Sequence, residues 1–419
     1  MRKMKDSGVE WITEIPCDWE ITKLKYLGEY INGYAFKPND WGTTGKPIIR
    51  IQDLTNSSDN TNYFNGEISG KYLIKNGDIL VSWAATLDAF IWRKGDGWLN
   101  QHIFKAVPNI EKIEPAYFYW LIKVAMQYMN NDNKHGIMMQ HVTLNVFNNF
   151  SVPLPSLSEQ KSIAIELETK CVQVDTLVAN VQSQIEKLKA YKQSLITEVV
   201  TKGLDSNVQM KESGVEWIDL INARYKVQPI NALFSIEKRI IGREPEQVLS
   251  ITQRGIIPKD ISSNEGQLAD SYAHYQIVNI GDFAMNHMDL ITGGVGISEY
   301  EGVTSPDYRV FVIKNKKMNS RYFLYVFETY YRNKIFYAFG QGAANVGRWR
   351  LPAQNFKNIL IPVPPIKDQN EIAEYLDEKS SQIDMLIDIK QSKIEKLSEY
   401  KKSLIYEYVT GKKEVVQHE

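Results

Sequence analysis

At 419 residues the chain is too long for one ordinary domain, and 43% hydrophobic with 24% charged residues is globular composition with ample material for a core. Two cysteines, Cys17 and Cys171, argue against a disulfide framework and suit a reducing cytoplasm; no apolar run approaches the ~18 residues of a membrane span, and no signal-like stretch follows Met1. The net charge is −1, with 16 basic and 16 acidic groups in residues 1–157 and 18 and 16 in residues 204–365, so bulk electrostatics offers nucleic acid nothing and only local clustering could.

The first segment, Met4-Lys5-Asp6-Ser7-Gly8-Val9-Glu10-Trp11-Ile12-Thr13, gains its meaning further along the chain. After it, Ile48-Ile49-Arg50-Ile51, Asp78-Ile79-Leu80-Val81 and Ile103-Phe104-Lys105-Ala106-Val107 read as short strands between Gly- and Asn-rich turns. Pro115 to Met129, with Tyr117, Phe118, Trp120, Leu121 and Met126, reads as a buried helix whose aromatics belong to a core rather than a base-stacking platform. Arg, Asn and Gln can read base edges bidentately, and polar loops on a rigid scaffold are where recognition sits. The DNA-contact candidates in this module are therefore Arg50 and Gln52, Ser82 and Trp83, Asn100, Gln101 and His102, and Lys134, His135, Gln140 and His141.

Phe147 and Val152-Pro153-Leu154-Pro155 lead into a long periodic stretch from Ser158 to about Thr201. Its apolar residues, Leu167, Cys171, Val174, Val178, Val181, Ile185, Leu188, Tyr191, Leu195 and Val199, step by three and four, the seam of a coiled coil. Pro155 and Ser158 suit its start and Gly203 its end.

The opening segment then returns as Met210-Lys211-Glu212-Ser213-Gly214-Val215-Glu216-Trp217-Ile218-Asp219, identical at eight of ten positions at an offset of 206. The chain is a duplication. The middles, about 30–140 and 235–345, resemble each other little beyond Gly77-Asp78-Ile79 and Gly281-Asp282-Phe283. In the second module Ser320 to Tyr337 is the expected helix, and the contact candidates are Gln253 and Arg254, Asn286 and His287, and Gln341, Asn345, Arg348 and Arg350. The stretch Gly340-Gln341-Gly342-Ala343-Ala344-Asn345 is the best cluster, since small residues let the backbone approach a phosphate while arginine reaches a base. Gly293-Gly294-Val295-Gly296 lacks the spacing of a dinucleotide fingerprint and reads as a tight loop.

Phe356 and Ile361-Pro362-Val363-Pro364 open the second periodic stretch, with its seam at Leu376, Ile383, Leu386, Ile394, Leu397, Tyr400, Leu404 and Tyr408 and Gly411 closing it. Lys379 and Lys390 interrupt this stripe. Residues 185–196 and 394–405 share nine of twelve residues. Helices of ~45 residues span roughly 65–70 Å and must bury their apolar stripe against something. The expectation is an antiparallel pair with a module at each end about a pseudo-twofold axis. Unlike middles between shared ends suggest one architectural role and two recognition roles.

No phosphate loop, no amino-methyltransferase Pro-Pro-Tyr/Phe motif and no His/Cys metal spacing occurs, so no catalytic or metal site is visible. With the repeat, arms and divergent middles in hand, the chain resembles the specificity subunit of type I restriction-modification systems over essentially its whole length. The matching pieces are Ser7-Gly8-Val9-Glu10-Trp11-Ile12 with Ile15-Pro16 and Trp19, the prolines before Glu159-Gln160 and before Asp368-Gln369, and Lys187-Leu188 to Glu198 with Lys396-Leu397 to Glu407. One departure is that Ile221-Asn222 and Tyr225 stand in the second copy where the first has Ile15-Pro16 and Trp19.

The resemblance implies α/β (α+β) target-recognition domains at 1–155 and 204–364, conserved coiled-coil helices at 156–203 and 365–412, and a tail at 413–419. It implies a non-catalytic subunit that binds a bipartite site on double-stranded DNA and docks two methyltransferase subunits, with Leu188, Tyr191, Leu195, Leu397, Tyr400 and Leu404 as partner-binding helix residues. S-adenosylmethionine, ATP and Mg would sit on those partners and on restriction-translocase subunits, with no cofactor on this chain and no membrane. The rival reading is a non-catalytic protein-protein scaffold with a coiled-coil spacer.

Overall fold

The computed structural model describes residues 2–57, 60–84, 86–132, 142–205, 207–261, 269–342 and 349–415. Four longer helices organise the chain: α1 (Pro115–Asp132), α2 (Leu157–Lys202), α3 (Ser320–Arg332) and α4 (Ile366–Val409). Two compact units result. Unit 1 holds Met1–Val181 with Ser392–Glu419, and unit 2 holds Gln182–Gln391, so each contains one stretch of α2 and one of α4.

Unit 1 is built on an antiparallel sheet of β1 (Gly28–Asn32), β2 (Ile79–Ser82), β3 (Asp88–Ile91) and β4 (Ile103–Pro108), ordered β1-β4-β2-β3. Unit 2 repeats this order as β5-β8-β6-β7, from β5 (Phe234–Glu237), β6 (Phe283–Met285), β7 (Val295–Ile297) and β8 (Arg309–Ile313). The weak Gly-Asp echo is a shared turn. Gly77 and Gly281 take φ of 94° and 87°, and the Asp78 and Asp282 carboxylates each accept a backbone N–H three residues upstream at 2.8 Å. Unit 1's core joins Trp11, Trp19, Phe104, Tyr117, Phe118 and Phe147 to Leu404, Tyr408 and Val409; unit 2's joins Phe234, Phe311, Tyr322 and Phe327 to Ile196, Val199 and Val200.

The matched ends form a common frame. The opening segments are hairpins, Met4–Asp6 on Glu14–Pro16 and Met210–Val215 on Ile218–Asn222. The proline-bearing segments are edge strands, Ser151–Leu154 on Glu20–Lys23 and Leu360–Val363 on Lys226–Pro229. Gln160 and Gln369, 1% and 0% exposed, lock the helix entries: each carboxamide oxygen accepts the N–H of the residue just before α1 or α3, Glu114 at 2.8 Å and Asn319 at 2.9 Å. Each Nε2 donates back to a carbonyl at 2.9 Å, Pro155 or Pro364. The tyrosine hydroxyls of Tyr117 and Tyr322 donate to Val409 and Val200 at 3.3 and 3.0 Å, so each module is closed by the end of the other copy's long helix.

Lys401 donates to Asp175 in unit 1 and Lys192 to Asp384 in unit 2, at distances of 2.7–2.8 Å, while Tyr408 reaches Glu166 and Lys390 reaches Gln184. Within each unit, numbers rise along one helix as they fall along the other, which is an antiparallel pair. Lys390, read from sequence as a break in the stripe, is thus a cross-link between the helices.

Several expectations need correction. Ile48–Ile51 is not a strand throughout: the strand is Lys46–Ile49, and Arg50 begins a one-turn helix, Ile51–Thr55, because its backbone N–H is taken by Asp53 at 2.8 Å. The helix expected over Ser320–Tyr337 breaks at Lys334, at φ 58°, before a short turn Ile335–Ala338. Ser156, not Ser158, caps α2 through the Glu159 N–H at 3.3 Å. In the seam, Leu167, Cys171, Val174, Val181, Ile185, Leu376 and Ile383 are buried, but Tyr191, Leu386 and Tyr400 are 58%, 46% and 51% exposed.

Candidate nucleic-acid interface

The two units differ in the side chains and loops carried by what is inserted into the common sheet. In unit 1 a second four-stranded sheet comprises Lys46–Ile49, Tyr63–Phe64, Leu73–Ile74 and Gly97–Leu99, with a small core of Ile49, Ile74, Leu80, Trp92 and Leu99. In unit 2 the counterpart is a hairpin, Leu249–Thr252 on Gly255–Pro258, joined by a parallel bridge of Val248 to Val303 to a strand pair, Gln276–Val278 on Gly302–Thr304, which repeats the order and senses of unit 1's inserted sheet.

Arg50 leaves unit 1's inserted sheet and lays its guanidinium over Trp41, 4.4 Å from the ring centroid. Gln52 is engaged by the Asn60 carbonyl at 3.2 Å. The N–H of Asn100 donates to Ile49 at 3.3 Å, which brings the chain at Gln101 beside that at Arg50. His102 is exposed, its ring 5.7 Å from half-buried Trp83, so Arg50, Trp83, Gln101 and His102 share one end of the module.

Ser82 and Asn100 are corrections. Ser82 is fully buried and donates to the Ala84 carbonyl at 3.1 Å. Asn100 is 6% exposed and presses on Gly33, where a Cβ would lie 2.0 Å from the Asn100 oxygen. Both hold the scaffold and present nothing outward. Lys134, His135, Gln140 and His141 lie outside the described residues.

In unit 2 Gln253 and Arg254 form the exposed hairpin turn, made possible by Gly255 at φ 106°. Gln253 ties this turn to the Thr292 carbonyl at 3.1 Å, while Arg254 is free to reach solvent. Asn286 and His287 follow β6. The His287 carbonyl accepts the Leu351 N–H at 2.9 Å, and Gln341 and Arg350 exchange backbone hydrogen bonds at 2.8 and 3.1 Å. Four of the eight candidates in this module, Asn286, His287, Gln341 and Arg350, are thereby gathered together, with Arg350 and Gln341 exposed; Asn345 and Arg348 lie outside the described residues.

Beneath this cluster sits a residue that sequence reasoning missed. Arg309 is 4% exposed, stacks on Phe356 at 4.6 Å and donates to the Leu351 carbonyl at 2.8 Å. Among the described residues no carboxylate pairs with it, and burial lowers its pKa to about 10. Burial, with the charges of Arg309 and Arg350, pushes His287 down to about 3 and keeps it neutral at physiological pH. The available signal was an arginine at a position in Arg-Val-Phe-Val-Ile that alternation assigns to the core.

Along the helices, Tyr191 and Tyr400 stand exposed at equivalent positions, and Ile165, Val172, Leu177, Met385 and Ile389 are exposed as well. Leu188, Leu195 and Leu397 are half-buried. Leu404, 1% exposed in unit 1's core, is a correction, being out of a partner's reach. Among the described residues no group of three His, Cys, Asp or Glu could hold a metal ion, and no helix is long and apolar enough to cross a membrane.

Comparison with known proteins places this geometry. Residues 16–187 and 272–399 match the Type I restriction modification DNA specificity domain. The EcoBI type I restriction enzyme specificity subunit of Escherichia coli is 22% identical over 413 residues, covering 92% of this chain and 84% of its own length. The putative MjaX specificity subunit of Methanocaldococcus jannaschii is 28% identical over 410 residues, with 87% of each chain covered. A chain from a solved structure concerned with complex assembly and conformational transition of the type I R-M system shares the fold, with a TM-score of 0.66 at 13% identity over 95% of this chain and 99% of that one. The duplicated chain, matched over most of its length by that family's model, belongs to the type I restriction-modification DNA specificity family.

Proposed function

We propose that this chain is the DNA sequence-recognition subunit of a type I restriction-modification complex, in which each unit reads one half of a bipartite site. The observation that carries this reading is the contrast between the repeated frame and the unlike side chains of the inserts. The frame is repeated down to Gln160 and Gln369, and the inserts keep one strand plan, the parallel pairing of Ile48 with Trp98 being answered by the parallel bridge of Val248 to Val303, whereas the side chains they present are unlike: Arg50 over Trp41 in unit 1, Gln253 and Arg254 at a hairpin turn in unit 2. Joining two weak readers in one chain makes the second contact intramolecular and raises affinity without new contacts.

Recognition belongs to this chain and chemistry to its partners. Two methyltransferase subunits would dock on the exposed faces of α2 and α4, where Tyr191 and Tyr400 offer aromatic anchors of the kind that dominate interface energies. S-adenosylmethionine would be held by those subunits, and ATP and Mg by translocase-nuclease subunits, in the cytoplasm where the chromosome lies. Partner lysines and arginines would supply much of the phosphate contact that a net charge of −1 does not.

The test is genome-wide adenine methylation in cells carrying the methyltransferase subunit with and without this chain. A split motif present only with the chain is the expected result. An active methyltransferase and a soluble complex without a new motif would overturn the proposal in favour of a protein-protein scaffold.

A further inference from the structure

The two units carry one pair of equivalent positions with opposite chemistry. Tyr117 and Tyr322 mark the same place on α1 and α3, which aligns Lys123 with Glu328. On the neighbouring strands, the shared Gly-Asp turns and the pairings Val81↔Ala89 and Met285↔Val295 align Asp88 with Gly294. In unit 1 the Lys123 ammonium donates to both Asp88 oxygens at 2.8 Å and to the Ala89 carbonyl at 3.3 Å. Helix and strand are thus bridged by a cation.

In unit 2 the helix offers the carboxylate of Glu328 and the strand offers no side chain at all. A cavity of about 190 Å³ remains, walled by Ile291, Gly294, Val295, Tyr331 and Arg332 beside Glu328. Nothing longer than glycine serves at Gly294, since a Cβ would fall 2.3 Å from the Thr252 carbonyl oxygen. Among the described residues no hydrogen bond or ion pair engages the Glu328 carboxylate, and burial raises its pKa. Three cations, Arg332 foremost, partly offset that rise through their charge, but each makes its hydrogen bonds elsewhere: Arg321 bonds Asp377, Lys192 bonds Asp384, and Arg332 donates to the Gln193 carboxamide at 3.3 Å.

We propose that this cavity is a binding site for an alkylammonium group, with Glu328 as its counter-ion. The ammonium takes the place that Lys123 fills internally in unit 1, and its methylene stem packs on Ile291, Val295 and the ring of Tyr331. Two sources share this chemistry: a lysine side chain of a partner protein and a free polyamine. Binding weakens on acidification as the Glu328 carboxylate, its pKa raised, takes up a proton.

The test uses the full chain, titrated separately with n-butylammonium and spermidine by calorimetry. Both amines should bind one to one and lose at least tenfold in affinity in Glu328→Gln. Glu328→Lys, which supplies the ammonium from the helix as unit 1 does, should fold and bind neither. A carbodiimide-induced amide between Glu328 and a lysine of the co-assembled methyltransferase would assign the group to that partner. Spermidine binding with no such cross-link would assign it to a polyamine. Equal amine affinity in wild type and Glu328→Gln, or no binding together with no cross-link, would overturn the site.

Discussion

At the scale of single residues, burial decides which polar groups build the protein and which are left to meet a ligand. Gln160 makes its hydrogen bonds out of reach of water, so removing the carboxamide leaves the Glu114 N–H and the Pro155 carbonyl without it. Gln160→Leu is expected to cost about 1–3 kcal/mol in urea unfolding, with Gln369→Leu costing a similar amount. His287 behaves oppositely to a surface histidine. Its folded-state pKa, about 3, lies below the ordinary 6.5, so between those values the unfolded chain binds more protons and stability falls as pH falls. Urea midpoints should therefore drop on acidification from pH 6.5 towards 3, and His287→Gln should flatten that slope. If the two proteins show the same slope, the histidine is not buried as described.

These residues were unequally legible in the sequence. Glu159-Gln160 and Asp368-Gln369 stood out as repeated pairs, but a repeat shows that a residue matters to both copies and not which carbonyl it bonds. Ser82 and Asn100 were chosen for hydrogen-bonding capacity, which says nothing of direction: Ser82 lies in a strand buried on both faces. Arg309 escaped notice because alternation sorts residues by polarity, and a guanidinium held by one carbonyl and one aromatic ring breaks that rule.

At the scale of elements, the long helices were the most legible part, since a three-four periodicity sustained from Leu167 to Val199 and again from Leu376 to Tyr408 permits little else. The seam itself was less so. Tyr191 and Tyr400 fit the spacing yet face outward, because the helices also pack on their modules and the buried stripe moves to Ile196 and Val199 in α2 and to Leu404 and Ile405 in α4. This separates two roles that the spacing merged. Leu404→Ala should cost about 2–5 kcal/mol of stability. Tyr191→Ala and Tyr400→Ala should leave urea unfolding within about 0.5 kcal/mol of wild type. The same tyrosine changes should weaken assembly with the methyltransferase subunit, read by analytical ultracentrifugation. Loss of stability in the tyrosine variants without loss of assembly would reverse the assignment.

At the scale of the whole molecule, the Asn222 and Tyr225 departure from Pro16 and Trp19 is absorbed by the frame. Asn222 donates to the Lys202 carbonyl at 3.2 Å and Tyr225 packs over Gly203, as Trp19 and Pro16 pack over Gly411. Unit 1 therefore depends on a segment remote in sequence. A chain ending at residue 391 keeps all of unit 2 but strips Leu404, Ile405, Tyr408 and Val409 from unit 1's core. Limited proteolysis of that truncated chain should cut first within residues 1–181 and spare 182–391. A protected unit 1 would show that the α4 segment is dispensable.

The closing of Tyr117 onto Val409 also sets an order of events during synthesis. A ribosome moving from the N-terminus delivers nearly all of unit 1 first, yet the strip that seals its core emerges last. Unit 2 has every residue it needs once Gln391 has cleared the exit tunnel. The half that is translated first is thus the half that matures last, and its aromatic interior stays open to chaperones and proteases while some two hundred further residues are made. A ribosome that stalls late in the message releases a chain with a finished second reader and an unfinished first one, which quality control can remove before it joins a methyltransferase with half a specificity.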